Sequence, residues 1–263
     1  MAAYHQVDKT WQLYQECREK DIPLDTGTYN AIIRVAAFLR DAPELRWQLV
    51  KEILSALGDS GAQPDLGTLN ATLEALSHAA GWRQAREVSL QVLVEFGQLG
   101  IKPSLATYYH LLTIHCRERG PRSQVLLDIL DYCEGHLFTL QDTKDVFFFV
   151  TAMDVARNHL RSLEAARRIH AMLQHGDNHL LIGDSYKESV YYRHFFAVSC
   201  QTLPVDEFMG EVYSLLVPHV YTPEPGIMQE VIETMRVSGS LHHLPQLWTD
   251  VFFHHSSAED YTQ

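Results

Sequence analysis

A nine-residue phrase written three times constrains this chain more than any other feature. It reads DTGTYNAII from Asp25, DLGTLNATL from Asp65 and SLATYYHLL from Ser104, at intervals of 40 and 39 residues. Self-similarity at such a period marks a repeat architecture, in which each unit cannot bury its apolar face alone and must stack on its neighbours. Each copy follows a turn, IPLD, AQPD or IKPS. Proline there stops the preceding helix, and Asp or Ser can cap the next one. The residues after the cap keep helical spacing: Tyr29, Ile32, Ile33, Ala36 and Ala37, then Leu69, Leu73 and Leu76, then Tyr108, Leu111 and Leu112. A second amphipathic segment completes each unit, so the unit is a helical hairpin.

The rhythm outlasts the phrase. DTKDVFFFVTAMDVARNHL pairs with SLEAARRIHAMLQHG, DSYKESVYYRHFFAVSC with VDEFMGEVYSLLVPHV, and PEPGIMQEVIETMRVSG with LPQLWTDVFFHH. At the front, VDKTWQLYQECREKDIPLD has the character of the second helix of a hairpin. No alternating run is long enough for a sheet strand. The expected fold is all-α, a right-handed superhelical solenoid of stacked hairpins running through residues 1–263. It divides into a half-unit at 4–24, hairpins at about 26–65, 66–104, 105–140, 141–183, 184–221 and 222–255, and a tail at 256–263.

Composition narrows the function. The formal net charge is −12, and residues 205–263 hold nine acidic side chains against one basic, Arg236. Such a segment repels phosphate, which argues against broad nonspecific nucleic-acid binding there. The first 25 residues carry neither an apolar signal core nor an Arg- and Ser-rich transit pattern, and no apolar run reaches the roughly 18 residues a membrane helix needs. The four cysteines are scattered without a C-x-x-C pair, as expected for reduced thiols. No G-x-S-x-G, phosphate loop or G-x-G-x-x-G is present. Asp206 and Glu207 open a helix, where carboxylates complement the dipole. No enzyme, cofactor or small-molecule substrate is expected.

The phrases GTYNAII and LGIKPSLATYYHLL resemble pentatricopeptide repeats, whose units open on threonine-tyrosine-asparagine and close in a glycine-x-lysine-proline-aspartate turn. The tryptophan-leucine-glycine pattern of tetratricopeptide repeats is missing. The period is longer than that family's usual unit, with extra residues near 41–46, and hairpins four to six keep the rhythm without the motif. Three segments resemble, more narrowly, the member of the family found in animal mitochondrial small ribosomal subunits: LGIKPSLATYYHLL, ARRIHAMLQHGDNHLLIGDSYKESVYYRHFF and LPQLWTDVFFHH. This resemblance implies a mitochondrial matrix location, small-subunit ribosomal proteins and rRNA as partners, and a role in translation that extends to messenger RNA. A free RNA-processing factor and a purely protein-binding scaffold are the competing readings.

In sequence-reading members of the family, two positions per repeat contact one base of single-stranded RNA. Carried onto this chain, they are Asn30 with Asp65, resembling a uridine reader, and Asn70 with Ser104, a weaker pyrimidine-like pair. Tyr109 takes the first position of repeat three, and Phe147 in VFFFV falls near it in repeat four, where an apolar run is expected to be core. The competing role for Asn30 and Asn70 is to satisfy backbone donors in the first helical turn. Arg117, Arg119 and Arg122 form one basic cluster, and Arg157, Arg161, Arg167 and Arg168 another, both at turns and hence at an edge suited to rRNA or an acidic protein. His242 and His243 stand eleven residues from His254 and His255, about 16 Å along a helix, too far to share an ion. No metal site is expected.

Overall fold

The computed structural model describes residues 2–39, 42–79, 81–116, 120–134, 136, 138, 140, 143–175 and 185–250. All regular structure among them is helical. The chain forms two compact units, residues 1–125 with 141–148, and residues 126–140 with 149–263.

The first unit opens with α1 (Ala2–Glu19), followed by α2 (Thr26–Ala36), α3 (Pro43–Asp59), α4 (Leu66–Ser77), α5 (Ala85–Gln98) and α6 (Leu105–Cys116). Helices α2, α4 and α6 are the first helices of successive hairpins and pack side by side, while α3 lies on α2 and α5 on α4. Every apolar position read from the repeated phrase is buried, from Tyr29 at 7% exposure to Ile33, Leu69, Leu73 and Leu112 at none. Burying one such aliphatic side chain contributes roughly 1.5–3 kcal/mol. The residues near 41–46 are in part helix: Pro43 occupies the first helical turn of α3, where its missing N–H costs nothing.

Helix α6 is buried almost all round, because α4 and α5 cover two sides and Phe148 meets Tyr108 at 6.4 Å between ring centroids. Its polar residues therefore sit in the core. The His115 ring is fully buried and its Nε2 lies 3.1 Å from Ser89 Oγ. Burial and the nearby Arg122 and Arg86 push its pKa down to about 4.

The hairpins join through one recurring turn. After α3 and α5, Gly61 and Gly100 take φ of +79° and +78°, the left-handed conformation that ends a helix. After α1 the equivalent residue is Asp21, held at φ +48°. The chain then runs extended through Pro23, Pro64 or Pro103 into the next cap.

The second unit contains most of α7 (Gln124–Glu134), the end of α8 (Thr143–Val155), α9 (Leu163–Gln174), α10 (Ser185–Thr202), α11 (Val205–Phe208), α12 (Ser214–Leu216) and α13 (Pro225–Ser238). Helix α8 widens into a π-helical turn at Ala156–Leu160, which ends at left-handed Arg161 before Ser162 caps α9. A second π turn, Met209–Tyr213, links α11 and α12. Phe196 of α10 gathers Phe208, Tyr213 and Tyr221 at ring distances of 4.9, 5.9 and 5.5 Å, forming the core of this unit. The GDN…IG segment at 176–183 lies outside the described residues.

Two measurements test these packing arguments. His115 is depressed in the folded state, so the unfolded chain binds more protons between pH 6.5 and 4, and stability falls as pH drops through that window. Urea denaturation at pH 7 and 4.5 should show His115→Gln losing less stability than the parent on acidification, by up to about 2 kcal/mol. Asp21→Gly relieves a strained backbone and should stabilise the fold by roughly 0.5–1 kcal/mol in the same assay.

Candidate nucleic-acid interface

The three phrases place a cap, a threonine three residues on, and a polar or aromatic residue two further along, at the same height of α2, α4 and α6. Asp25 Oδ1 accepts the Thr28 backbone N–H at 2.7 Å. At α4 the arrangement is fuller. Asp65 Oδ1 accepts from Thr68 N at 2.8 Å and Thr68 Oγ1 at 3.0 Å, and Thr68 Oγ1 accepts from Asp65 N at 3.0 Å, closing a capping box. The same Oδ1 accepts from Asn30 Nδ2 at 3.0 Å, although Asn30 lies 35 residues earlier on α2.

The two residues carried over as one base-reading pair are thus hydrogen-bonded to each other. Asn30 is 5% exposed, and its Oδ1 is buried without a hydrogen-bond partner among the described residues. The amide orientation follows from chemistry, since only the NH₂ end can face a carboxylate. Desolvation raises the Asp65 pKa, but hydrogen bonds from the Thr68 N–H, the Asn30 amide and the Thr68 hydroxyl outweigh it and hold the carboxyl below its usual range. Gly67 keeps the space open: a Cβ there would lie 2.8 Å from Asn30 Nδ2 and 3.0 Å from Asp65 Oδ1.

The next seam repeats the pattern more weakly. Asn70 Nδ2 donates to Ser104 Oγ at 3.4 Å, and Thr107 Oγ1 donates to Asn70 Oδ1 at 2.6 Å. Ser104 caps α6 by accepting from Thr107 N at 3.4 Å. In the third first helix Tyr109 replaces asparagine and rests on Phe147, with ring centroids 5.5 Å apart and planes 30° from parallel. Phe148 and Phe149 are core, as expected of that apolar run, whereas Phe147 is half-buried. The asparagines do not satisfy their own helix's first turn; they reach the cap of the following repeat.

The seam between α2 and α4 has further ties. Thr26 Oγ1 donates to the Gln63 carbonyl at 2.9 Å, and Arg34 pairs with Glu74 at 3.2 Å. Thr28, Thr68 and Thr107 escaped the reading of single motifs, yet their signal stood in the phrase itself, as threonine three residues after each Asp or Ser.

The basic candidates scatter. Arg117 and Arg119 lie outside the described residues. Arg122 pairs with Glu87 at 2.8 Å. Arg168 forks onto Asp131 and Glu134, both at 2.6 Å, and Arg167 meets Glu211 at 3.2 Å. Burial opposes the Arg168 charge, but these two carboxylates outweigh it and raise its pKa. Arg157, with only 14% of its side chain exposed, pairs with Glu230 at 3.6 Å and is no edge residue. Arg161 is exposed at its left-handed turn. These arginines mostly join elements of their own chain.

Together the fold and the seams define a helical-repeat protein whose capped first helices are latched cap to cap. Residues 12–79 match the pentatricopeptide repeat domain. The chain is 46% identical to the small ribosomal subunit protein mS39 of Drosophila melanogaster over 98% of its own length, 34% identical to that of Xenopus laevis and 31% to that of Mus musculus, each over 95%. It spans 37–40% of the length of these relatives. Among solved structures it resembles the pentatricopeptide repeat protein PPR10 in complex with an 18-nt psaJ RNA element, with a TM-score of 0.50 and 16% identity over 88% of this chain and 28% of that one, a likeness of fold. No described helix is long and apolar enough to cross a membrane.

A double-mutant cycle measures the latch. Asp65→Ala removes a cap and strands the Asn30 amide, and should cost about 2–3 kcal/mol; Asn30→Ala should cost about 1 kcal/mol, with a coupling of about 1 kcal/mol between them. Gly67→Ala should reproduce the Asn30→Ala loss by pushing the pair apart, as read from thermal or urea unfolding.

Proposed function

We propose that this chain is the repeat-array segment of a structural component of the mitochondrial small ribosomal subunit. It acts in the matrix as an adaptor between ribosomal proteins and RNA, supporting mitochondrial translation and the handling of messenger RNA. The observation that carries the reading is the 46% identity to Drosophila mS39 sustained over 98% of the chain.

The site chemistry supports it. Of the candidate RNA-contact positions along the first helices, Asp65, Asn70, Ser104 and Tyr109 keep surface toward solvent, while the buried Asn30 holds Asp65 in place. Asp65, ionised at neutral pH, offers acceptors to base N–H groups and discourages phosphate there. Two polar pairs and one aromatic are few for reading a sequence, and fit an adaptor that touches RNA in places. Arg161, exposed at its left-handed turn, is the basic candidate toward rRNA or acidic protein.

The competing reading, a free factor for one mitochondrial transcript, draws on the Asn30–Asp65 pair, which resembles a uridine reader. Sedimentation of the full-length protein from mitochondrial lysate separates the two. The adaptor comigrates with the small subunit and stays bound at high salt. Migration as a light particle, or release by modest salt, contradicts the adaptor reading; short pyrimidine-rich RNA should then bind tightly and lose that binding on Asn30→Ala with Asn70→Ala.

A further inference from the structure

We propose that Asp206, His242 and His243 form a binding site for a first-row divalent transition metal ion of the zinc type. Asp206 is the second residue of α11, and the histidines end the 3₁₀ turn Leu241–His243 that follows α13. The fold brings them together across 36 residues of chain. His243 Nε2 lies 2.7 Å from Asp206 Oδ1 and His242 Nε2 lies 3.3 Å from the same oxygen. The three donor atoms all fall within 4.8 Å of one another. Tetrahedral zinc, with bonds of about 2.0–2.1 Å to imidazole nitrogen and carboxylate oxygen, needs its donors about 3.3 Å apart, so the trio is nearly in place.

Two imidazoles on one carboxylate oxygen are more than an ion pair requires. The two rings stand with centroids 4.1 Å apart, and both present Nε2 to that oxygen. A divalent ion instead uses all three groups as ligands, with each ring neutral and its proton moved to Nδ1. The side chains of Asp206 and His242 are 72% and 65% exposed, which leaves the remaining coordination positions to water. Residues 205–263 hold nine acidic groups against one basic, a field that draws cations toward this corner. Two imidazoles with one carboxylate favour zinc over magnesium or calcium, which prefer all-oxygen sets. A bound ion would tie the start of α11 to the 3₁₀ turn. The third ligand comes from α11, 36 residues before His242, where no spacing rule would look.

The test uses the metal-free 263-residue chain titrated with Zn²⁺ alone at pH 7.5 by calorimetry, with thermal unfolding alongside. One-to-one binding and a rising Tm are expected. Asp206→Asn preserves a hydrogen-bond acceptor while removing the anionic ligand, and His242→Ala changes an exposed side chain. Each should weaken binding roughly tenfold or more, with helical content by circular dichroism unchanged. Excess Mg²⁺ should not compete. Absence of one-to-one binding, binding by both variants as tight as the parent's, or displacement by Mg²⁺ would each overturn the site.

Discussion

One carboxylate oxygen, Asp65 Oδ1, does two things by accepting from both Thr68 and Asn30. It ends the problem of free N–H groups at the start of α4, through Thr68, and it holds α2 against α4 across 35 residues of chain. A repeat array has no single core to enforce register, so each seam must set its own. Apolar packing presses the first helices together but is indifferent to small slides along their axes. A polar contact fixed at the cap is directional and removes that freedom. The recurrent turn behind it, left-handed at Asp21, Gly61 and Gly100, delivers the cap to the same height each time.

The repeat period, the helical hairpins and the buried face of every first helix were legible in the sequence, because periodic apolar spacing and Asp or Ser after proline are local signals. So were the positions that matter at the seam, but not their bonding. That Asn30 spends its amide on the cap of the next repeat depends on how far α2 and α4 approach, and Gly67 permits that approach in a way no spacing rule anticipates. The arginines show the opposite limit. A run of basic residues at a turn reads as an edge, yet Arg157 and Arg168 point back to carboxylates on other helices of the chain. Partners 34–73 residues away cannot be seen in a window.

The same interactions bear on function. A side chain that holds a seam is expensive to redirect toward a base, because breaking its bond leaves a buried or capping group unpaired. Asn30, nearly fully buried, is therefore a poor hook and a good latch, while Asp65, Ser104 and the half-buried Tyr109 remain closer to solvent. Successive seams also weaken along the first unit, from carboxylate to hydroxyl to an aromatic pair. This gradient is what a chain would carry if its repeats were kept for shape and docking after most base reading had lapsed, and it accords with the similarity to a ribosomal subunit protein.

The claim that a polar latch sets the seam between α2 and α4 is tested most directly by native-state hydrogen exchange of the Asn30→Ala variant. The account predicts faster exchange at the Thr68 amide and the first turn of α4, by roughly five- to tenfold for a loss of about 1 kcal/mol, with the Thr28 amide of α2 and the Ser104–Thr107 cap unchanged. Unchanged exchange at Thr68, or acceleration spread evenly through α2, α4 and α6, would contradict it and leave apolar packing alone to hold the repeats in register.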